Sequence, residues 1–463
     1  MNQEHKRAIK SIIIICIVMI GLYFAFHFGK AYVMNNKESI AAKALKIADK
    51  TYSLLPVAAD SKKELAVLDQ MVQALTEKNG KTWTFLVLLQ NNMELRPGGG
   101  FLGQYAIIKL KDGQVVSTFL EDANLLDQRI SAKVAPPYPF YRMMQIKNWK
   151  FRDSNFSPDF PTNVSKAKYF YRLSGGYQDF DGAIAVNADV FNDILKITGP
   201  IQVPGYSATF DSSNATLKLE EVVEKAYIMD PKLDTQNRKA IMKAMAPIIV
   251  NKLFTVSNIS AIAEFAHEEM LKKNIMLNFK DLQLQNAVES VYWDGKVASD
   301  WNSDYLMAVD ANMGALKTDY YMRREMSYDL DLTQSKPTAD LYIKYKNTAT
   351  FGDWRTSDYH EYLRVYVPKG SVLLEREMAG APMTTEDFNK TVFGFIVHVP
   401  MGQEVNVHIK YELPENFDKD NYRLLVQKQS GSGDVPFKVH TKSDKGEMDQ
   451  DVTLNKDMKF EIK

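Results

Sequence analysis

Past Tyr320 the sequence stops repeating every three to four residues and begins to alternate apolar with polar side chains. No other feature limits the possible fold as strongly. The segments "ADLYIKYKN", "EYLRVYVPKG", "TVFGFIVHVP", "EVNVHIKYELP", "YRLLVQKQSG" and "DVPFKVHTK" follow one another with polar turns between them. Alternation places every second side chain on one face of an extended strand. A succession of such short strands predicts an antiparallel β-sandwich over residues 319–463.

Residues 81–318 read differently. "TWTFLVLLQ" is a continuous apolar strand of the kind buried on both faces, and "GQYAIIKLKDGQVVSTFLED" is two extended runs joined by a turn at Asp112-Gly113. "FDGAIAVNADVFNDILKITGPIQVPG" reads as strand, helix, turn and strand, with Asn187 or Asp189 as the helix cap. "NRKAIMKAMAPIIVNKLF" and "ISAIAEFAHEEMLKK" add helices, so this region is expected to be a mixed-sheet α/β domain. The whole chain is of class α/β with an appended sandwich, and 463 residues suffice for both cores.

At the other end, Ser11 to Phe28 is almost uninterrupted apolar sequence, and at ~1.5 Å per residue it nearly crosses a bilayer core. Lys6, Arg7 and Lys10 precede it and keep residues 1–10 cytoplasmic by the positive-inside rule. We therefore expect an uncleaved signal anchor at 11–30, a single pass through the cell membrane, and the bulk of the chain outside the cytoplasm. A cleaved signal peptide is the rival, but no small-x-small site follows the run. Residues 31–80 show helical spacing around Pro56 and are expected to form a membrane-proximal helical stalk.

Lysine plus arginine and aspartate plus glutamate each total 57, so no overall field draws the protein to nucleic acid, and any anion site is local. The single cysteine, Cys16, lies in the anchor, and the seven histidines show no zinc spacing.

Four places could carry chemistry. In "ELRPGGGFLGQY", Arg96 stands beside Gly98, Gly99 and Gly100, where a guanidinium and close backbone could meet an anion. The bland alternative pairs Arg96 with Glu94 and lets the glycines turn the chain. In "WKFRDSNFSPDFP", Arg152 and Asp153 lie among aromatics with Asn155 and Asp159, a set suited to a magnesium ion and its phosphate, or to turns bonding their own backbone. Glu121, Asp122 and Asp127 follow a strand as further metal ligands or as a solvated loop. Tyr169, Tyr171 and Arg172 offer a groove lining for an elongated ligand, or core packing.

Taken together, "NNMELRPGGGFLGQY", "FRDSNFSPDFPT", "FDGAIAVNADVFNDILKITGPIQVPG" and "VDANMGALKTDYYMRREMSYDL" resemble the bacterial domain-of-unknown-function family numbered 4012. That resemblance implies a membrane-anchored envelope protein with a β-rich C-terminal part. The order of elements is also similar to the LytR-CpsA-Psr phosphotransferases, which move glycans from polyprenyl pyrophosphate carriers to the cell wall.

This second resemblance implies that Arg96 faces a pyrophosphate, that Asp122 ligates Mg²⁺, and that Arg238 in "DTQNRKAIMKAM" is a remaining helix arginine, with Arg152 supplying further charge. Gly98 to Gly100 replace the region of that family's first aspartate, and Glu121 stands where it has an arginine. The expected function is an envelope protein that binds or transfers an anionic lipid-linked glycan or cell-wall polymer through Arg96, Arg152, Arg172 and Arg238, with Asp122 and Asp153 as metal ligands. The alternative is a non-catalytic structural or adhesion module whose β domain meets other envelope proteins.

Overall fold

The computed structural model describes residues 61–222 and 259–461, apart from residue 416 and with isolated positions between 241 and 252 added. The expected cytoplasmic end, the anchor at 11–30, residues 31–60 of the stalk and Arg238 lie outside the described residues. Among the described residues no helix is long and apolar enough to cross a membrane.

The first sheet is mixed, in the order β3-β2-β1-β4-β7: β1 (Thr82–Asn91), β2 (Phe101–Lys111), β3 (Gln114–Asp122), β4 (Gly182–Asn187) and β7 (Ile275–Phe279), while β5 (Ile201–Gln202) and β6 (Thr209–Phe210) pair with each other apart from it. β1 runs antiparallel to β2 and parallel to β4. Its residues divide by parity: Phe85, Val87 and Leu89 enter one apolar core, Leu86 and Leu88 the other. A strand buried on both faces needs helices on both, and it has them.

One layer holds α1 (Ser61–Thr76), α5 (Asp189–Thr198), α6 (Ala215–Glu220), α7 (Ile259–Leu271) and α8 (Leu282–Glu289), with Met71, Ile194, Ala215, Met270 and Val288 in a shared core. α1, the described part of the expected stalk, is thus docked on the domain. The opposite layer holds α2 (Ala123–Gln128), the 3₁₀ turn Phe151–Asp153 and α4 (Phe160–Leu173), which bury Leu126, Phe151, Val164 and Phe170. The short α3 (Tyr138–Met144) precedes that turn.

Asp112 and Gly113 both take positive φ, 52° and 74°, as the tight β2–β3 hairpin requires. Asp159 caps α4 by accepting the Thr162 N–H at 2.9 Å. α5 starts after Ala188 with no side-chain cap, because the Asn187 side chain is bonded elsewhere, to Ser430 and Asn274.

The C-terminal region is two packed six-stranded sheets. The first has the order β12-β15-β10-β9-β17-β18, built from β9 (Met322–Asp331), β10 (Thr338–Asn347), β12 (Val372–Glu377), β15 (Glu404–Glu412), β17 (Val435–Ser443) and β18 (Gly446–Leu454). The second has the order β13-β14-β11-β8-β16-β19, built from β8 (Asp304–Val309), β11 (Tyr359–Pro368), β13 (Gly380–Asp387), β14 (Lys390–Val399), β16 (Arg423–Val426) and β19 (Met458–Glu461). Their inward residues, among them Tyr328, Leu341, Leu363, Phe395 and Val407, form one core.

The antiparallel expectation needs correcting at two pairs, since β17 lies parallel to β9 and β16 parallel to β8. Alternation tells which residues face a core, not which way the neighbouring strand runs. β8 also precedes residue 319, so the second sheet begins inside the segment read as α/β.

Candidate anion-binding face

The glycine–arginine motif is a buried junction. Arg96 is only 1% exposed; its Nη2 donates to Glu94 Oε1 at 2.7 Å, its Nε to Asp153 Oδ1 at 3.4 Å, and its Nη1 to the Asn312 carbonyl at 2.8 Å. Burial pushes the Glu94 carboxyl up against the pull of Arg96. From the sandwich side, Gln429 Nε2 donates to the Arg96 and Asp310 carbonyls at 3.2 and 2.8 Å.

The glycines are required by close approach. Gly99 has φ +131°, and a Cβ there would meet Asn187 Oδ1 and Gln90 Nε2, each at 2.6 Å. A Cβ on Gly98 would collide with Asn163, one on Gly100 with the backbone of Asn91, and one on Gly431 with the Gly99 carbonyl oxygen. The Gly98 N–H is already bonded to the Asn155 carbonyl at 3.0 Å. The expectation that Arg96, Gly98, Gly99 and Gly100 meet an anion is therefore corrected: two carboxylates of the chain neutralise the guanidinium, and the turn is sealed between the α/β region and the sandwich.

The metal expectation changes as well. The Asp122 carboxylate caps α2, accepting the Asn124 N–H at 2.9 Å, and Asp153 is buried on Arg96. Among the described residues no group of three or more His, Cys, Asp or Glu is arranged to hold a metal ion.

What the structure does expose is a cationic, aromatic face. From 128 to 178 the chain carries nine basic residues, Arg129, Lys133, Arg142, Lys147, Lys150, Arg152, Lys166, Lys168 and Arg172. Only two acids, Asp153 and Asp159, accompany them, a formal charge of +7 within a chain whose net charge is zero. Both acids are buried, on Arg96 and at the cap of α4 respectively.

Trp149 is the hub of this face. Its N–H donates to the Val134 carbonyl at 2.7 Å, its indole N–H to the Asp153 carbonyl at 2.8 Å, and its ring meets Phe170 edge-on at 5.6 Å. Lys166 Nζ lies 4.5 Å from the Trp149 ring centroid and 5.2 Å from that of Tyr169. Along α4, residues 166, 169 and 172 recur at helical spacing and point away from the buried Val164, Ala167, Phe170 and Tyr171. Met143 and Met144 of α3 pack in one cluster with Trp149, and the same helix exposes Tyr141 and Arg142.

Several of these cations are already engaged. Arg129 pairs with Glu121, Arg172 with Asp179, and Lys150 donates to the Asp127 carbonyl at 2.7 Å. Arg152 donates to Asn124 Oδ1 at 2.7 Å and lies 3.5 Å from Asp127, whose carboxyl burial pushes up to about 6. Lys133, Arg142, Lys147 and Lys166 have no ion pair among the described residues. Of the expected ligand residues, then, Arg152 and Arg172 belong to this face and Arg96 does not. The tyrosine groove is half realised: Tyr169 is exposed, whereas Tyr171 is buried against Tyr105 and Phe180. The hub pair Trp149 and Lys166 was not singled out from sequence; counting charge over 128–178 against a neutral whole would have found it.

Residues 81–226 match the sequence profile of the family described as "Protein of unknown function (DUF4012)", the family that the motifs from "NNMELRPGGGFLGQY" onward resemble. The cationic face lies wholly inside that segment. Among solved structures, the Lin1025 protein from Listeria innocua is similar over 46% of this chain and 78% of that chain, at 16% identity and a TM-score of 0.24. No curated protein matches the chain.

Proposed function

We propose that this is a membrane-tethered, extracytoplasmic envelope protein that binds an anionic envelope polymer or lipid-linked glycan on the face around Trp149. The supporting observation is the +7 charge of residues 128–178 in a chain with no net charge, with Lys166 over the rings of Trp149 and Tyr169. A cluster of one sign raises the local concentration of the opposite one and steers it in. Exposed tyrosines and the tryptophan offer flat apolar faces to sugar rings between the charges. The apolar run at 11–28 supports the tether.

The reading is binding without transfer, because Arg96 and Asp153 are spent on each other. A purely structural reading draws support from the same junction, but only for the glycine motif and not for the exposed face.

The test is titration of the full chain in detergent with a poly(glycerol phosphate) chain, for wild type and Lys166→Glu. Binding that weakens at least tenfold in the variant and fades with added salt supports the proposal. No binding by folded wild type, or equal affinity in both proteins, overturns it.

A further inference from the structure

One acid sits against the cationic face with half of its carboxylate unanswered. Asp127 of α2 is 4% exposed, and its Oδ1 accepts the Phe151 N–H at 2.8 Å. Its Oδ2 is buried and accepts no hydrogen bond. Arg152, whose Nε stands 3.5 Å from that bare oxygen, has a side chain 41% exposed on the face. The same guanidinium donates to Asn124 Oδ1 at 2.7 Å and lies 3.9 Å from Asp153 Oδ2.

The other charged groups packed around Asp127 have partners of their own. From the 3₁₀ turn, Lys150 Nζ donates to the Asp127 and Ile130 carbonyls at 2.7 and 3.3 Å, and Asp153 is held by Arg96. From β3, Glu121 takes the Tyr105 hydroxyl of β2 and the Arg129 guanidinium, and Asp122 caps α2 itself. No histidine lies between residues 28 and 266.

A buried carboxylate with one bare oxygen is costly to keep ionised, and that oxygen is where a proton goes. Burial pushes the Asp127 carboxyl up to about 6, against the pull of the Phe151 N–H and of Arg152. Ionised, Asp127 cancels one positive charge of the face. Protonated, it cancels none.

We infer that Asp127 is a pH switch for the cationic face: its proton frees the Arg152 charge for a bound polyanion, so binding tightens on acidification. The inference rests on the binding reading above and adds its regulation. A phosphodiester chain stays ionised across this range, so the change lies in the protein. Linkage makes the effect reciprocal, and a bound polyanion raises the proton affinity of Asp127.

The test titrates the full chain in non-ionic detergent with poly(glycerol phosphate) at about pH 5 and about pH 7.5, for wild type and Asp127→Asn. The amide keeps an oxygen for the Phe151 N–H and removes the charge. Wild type is expected to bind roughly three- to tenfold tighter at the lower pH. Asp127→Asn is expected to bind at both pH values as wild type does at the lower one. Without ligand, the urea midpoint of wild type is expected to fall relative to that of Asp127→Asn as pH rises through the same window, because the native state holds a proton the unfolded chain has lost. Equal pH dependence of binding in the two proteins, or parallel urea profiles, overturns the inference and leaves the binding reading standing. No binding by either folded protein at either pH overturns both.

Discussion

Arg96 and Glu94, two residues apart, neutralise each other inside the protein: Nη2 donates to Oε1 at 2.7 Å, and both side chains are buried. Removing one member of such a pair leaves the other charged and desolvated, which costs about 3–5 kcal/mol. Arg96→Ala is therefore expected to lower the urea midpoint steeply, while protein that remains folded keeps its affinity for polyanion. A variant of normal stability with lost binding would return Arg96 to a ligand role.

Gly431 takes φ +77° and packs its Cα onto the Gly99 carbonyl. Gly431→Ala adds a methyl group where that oxygen already sits, beyond the roughly 1–2 kcal/mol that a side chain costs in left-handed backbone. The expected loss is more than about 2 kcal/mol in denaturant unfolding. Gly433 has φ +69° with no atom near its Cβ position, so Gly433→Ala is expected to cost only the conformational part.

Asp304 lies in the sandwich core and accepts from the hydroxyls of Tyr328 and Tyr422 at 2.8 and 3.0 Å. Burial pushes its carboxyl up to about 6 despite those bonds. The native state then holds a proton that the unfolded chain, with a carboxyl near 3.9, has lost. Its stability must fall as pH rises from about 4 to about 6. Relative to Asp304→Asn, wild type is expected to lose up to about 3 kcal/mol over that window. Urea midpoints of both proteins at pH 4.5 and pH 7 measure the difference, and parallel pH profiles would contradict it.

Trp149 joins α3, α4 and the turn at Phe151 through its ring and its indole N–H. Trp149→Phe keeps the ring but loses the bond to the Asp153 carbonyl. It is expected to cost about 1 kcal/mol of stability and to weaken polyanion binding less than Lys166→Glu does. Salt titration separates the two, since the charge reversal flattens the salt dependence and the aromatic change leaves it in place.

The period of the sequence made both regions legible, because burial on two faces or on one leaves its mark residue by residue in β1 and in β9 to β18. Asp112-Gly113 announced its hairpin for the same local reason. The direction of β16 and β17 was hidden, since parallel pairing depends on where a distant strand already lies. The fate of Arg96 was open between ligand and ion pair: Glu94 is a neighbour in sequence, but Asp153, Asn312 and Gln429 arrive through the fold. Trp149 and Lys166 went unnoticed because a cation over an indole is a meeting of two segments, neither unusual alone.

The contact between Gln429 and Arg96 spans 333 residues, and at roughly 5–20 residues per second its later partner is made about 17 to 67 s after the earlier one. Through that interval the turn at Gly98 to Gly100 has Glu94, and then Asp153 once it is made, but no Gln429, Ser430 or Gly431 above it. The α/β region thus exists first without the segment of Gln429 and Gly431 that packs on the turn at Arg96 and Gly99. Loss of the segment holding Gln429 and Gly431, far from Arg96 in sequence, is therefore expected to uncover that turn.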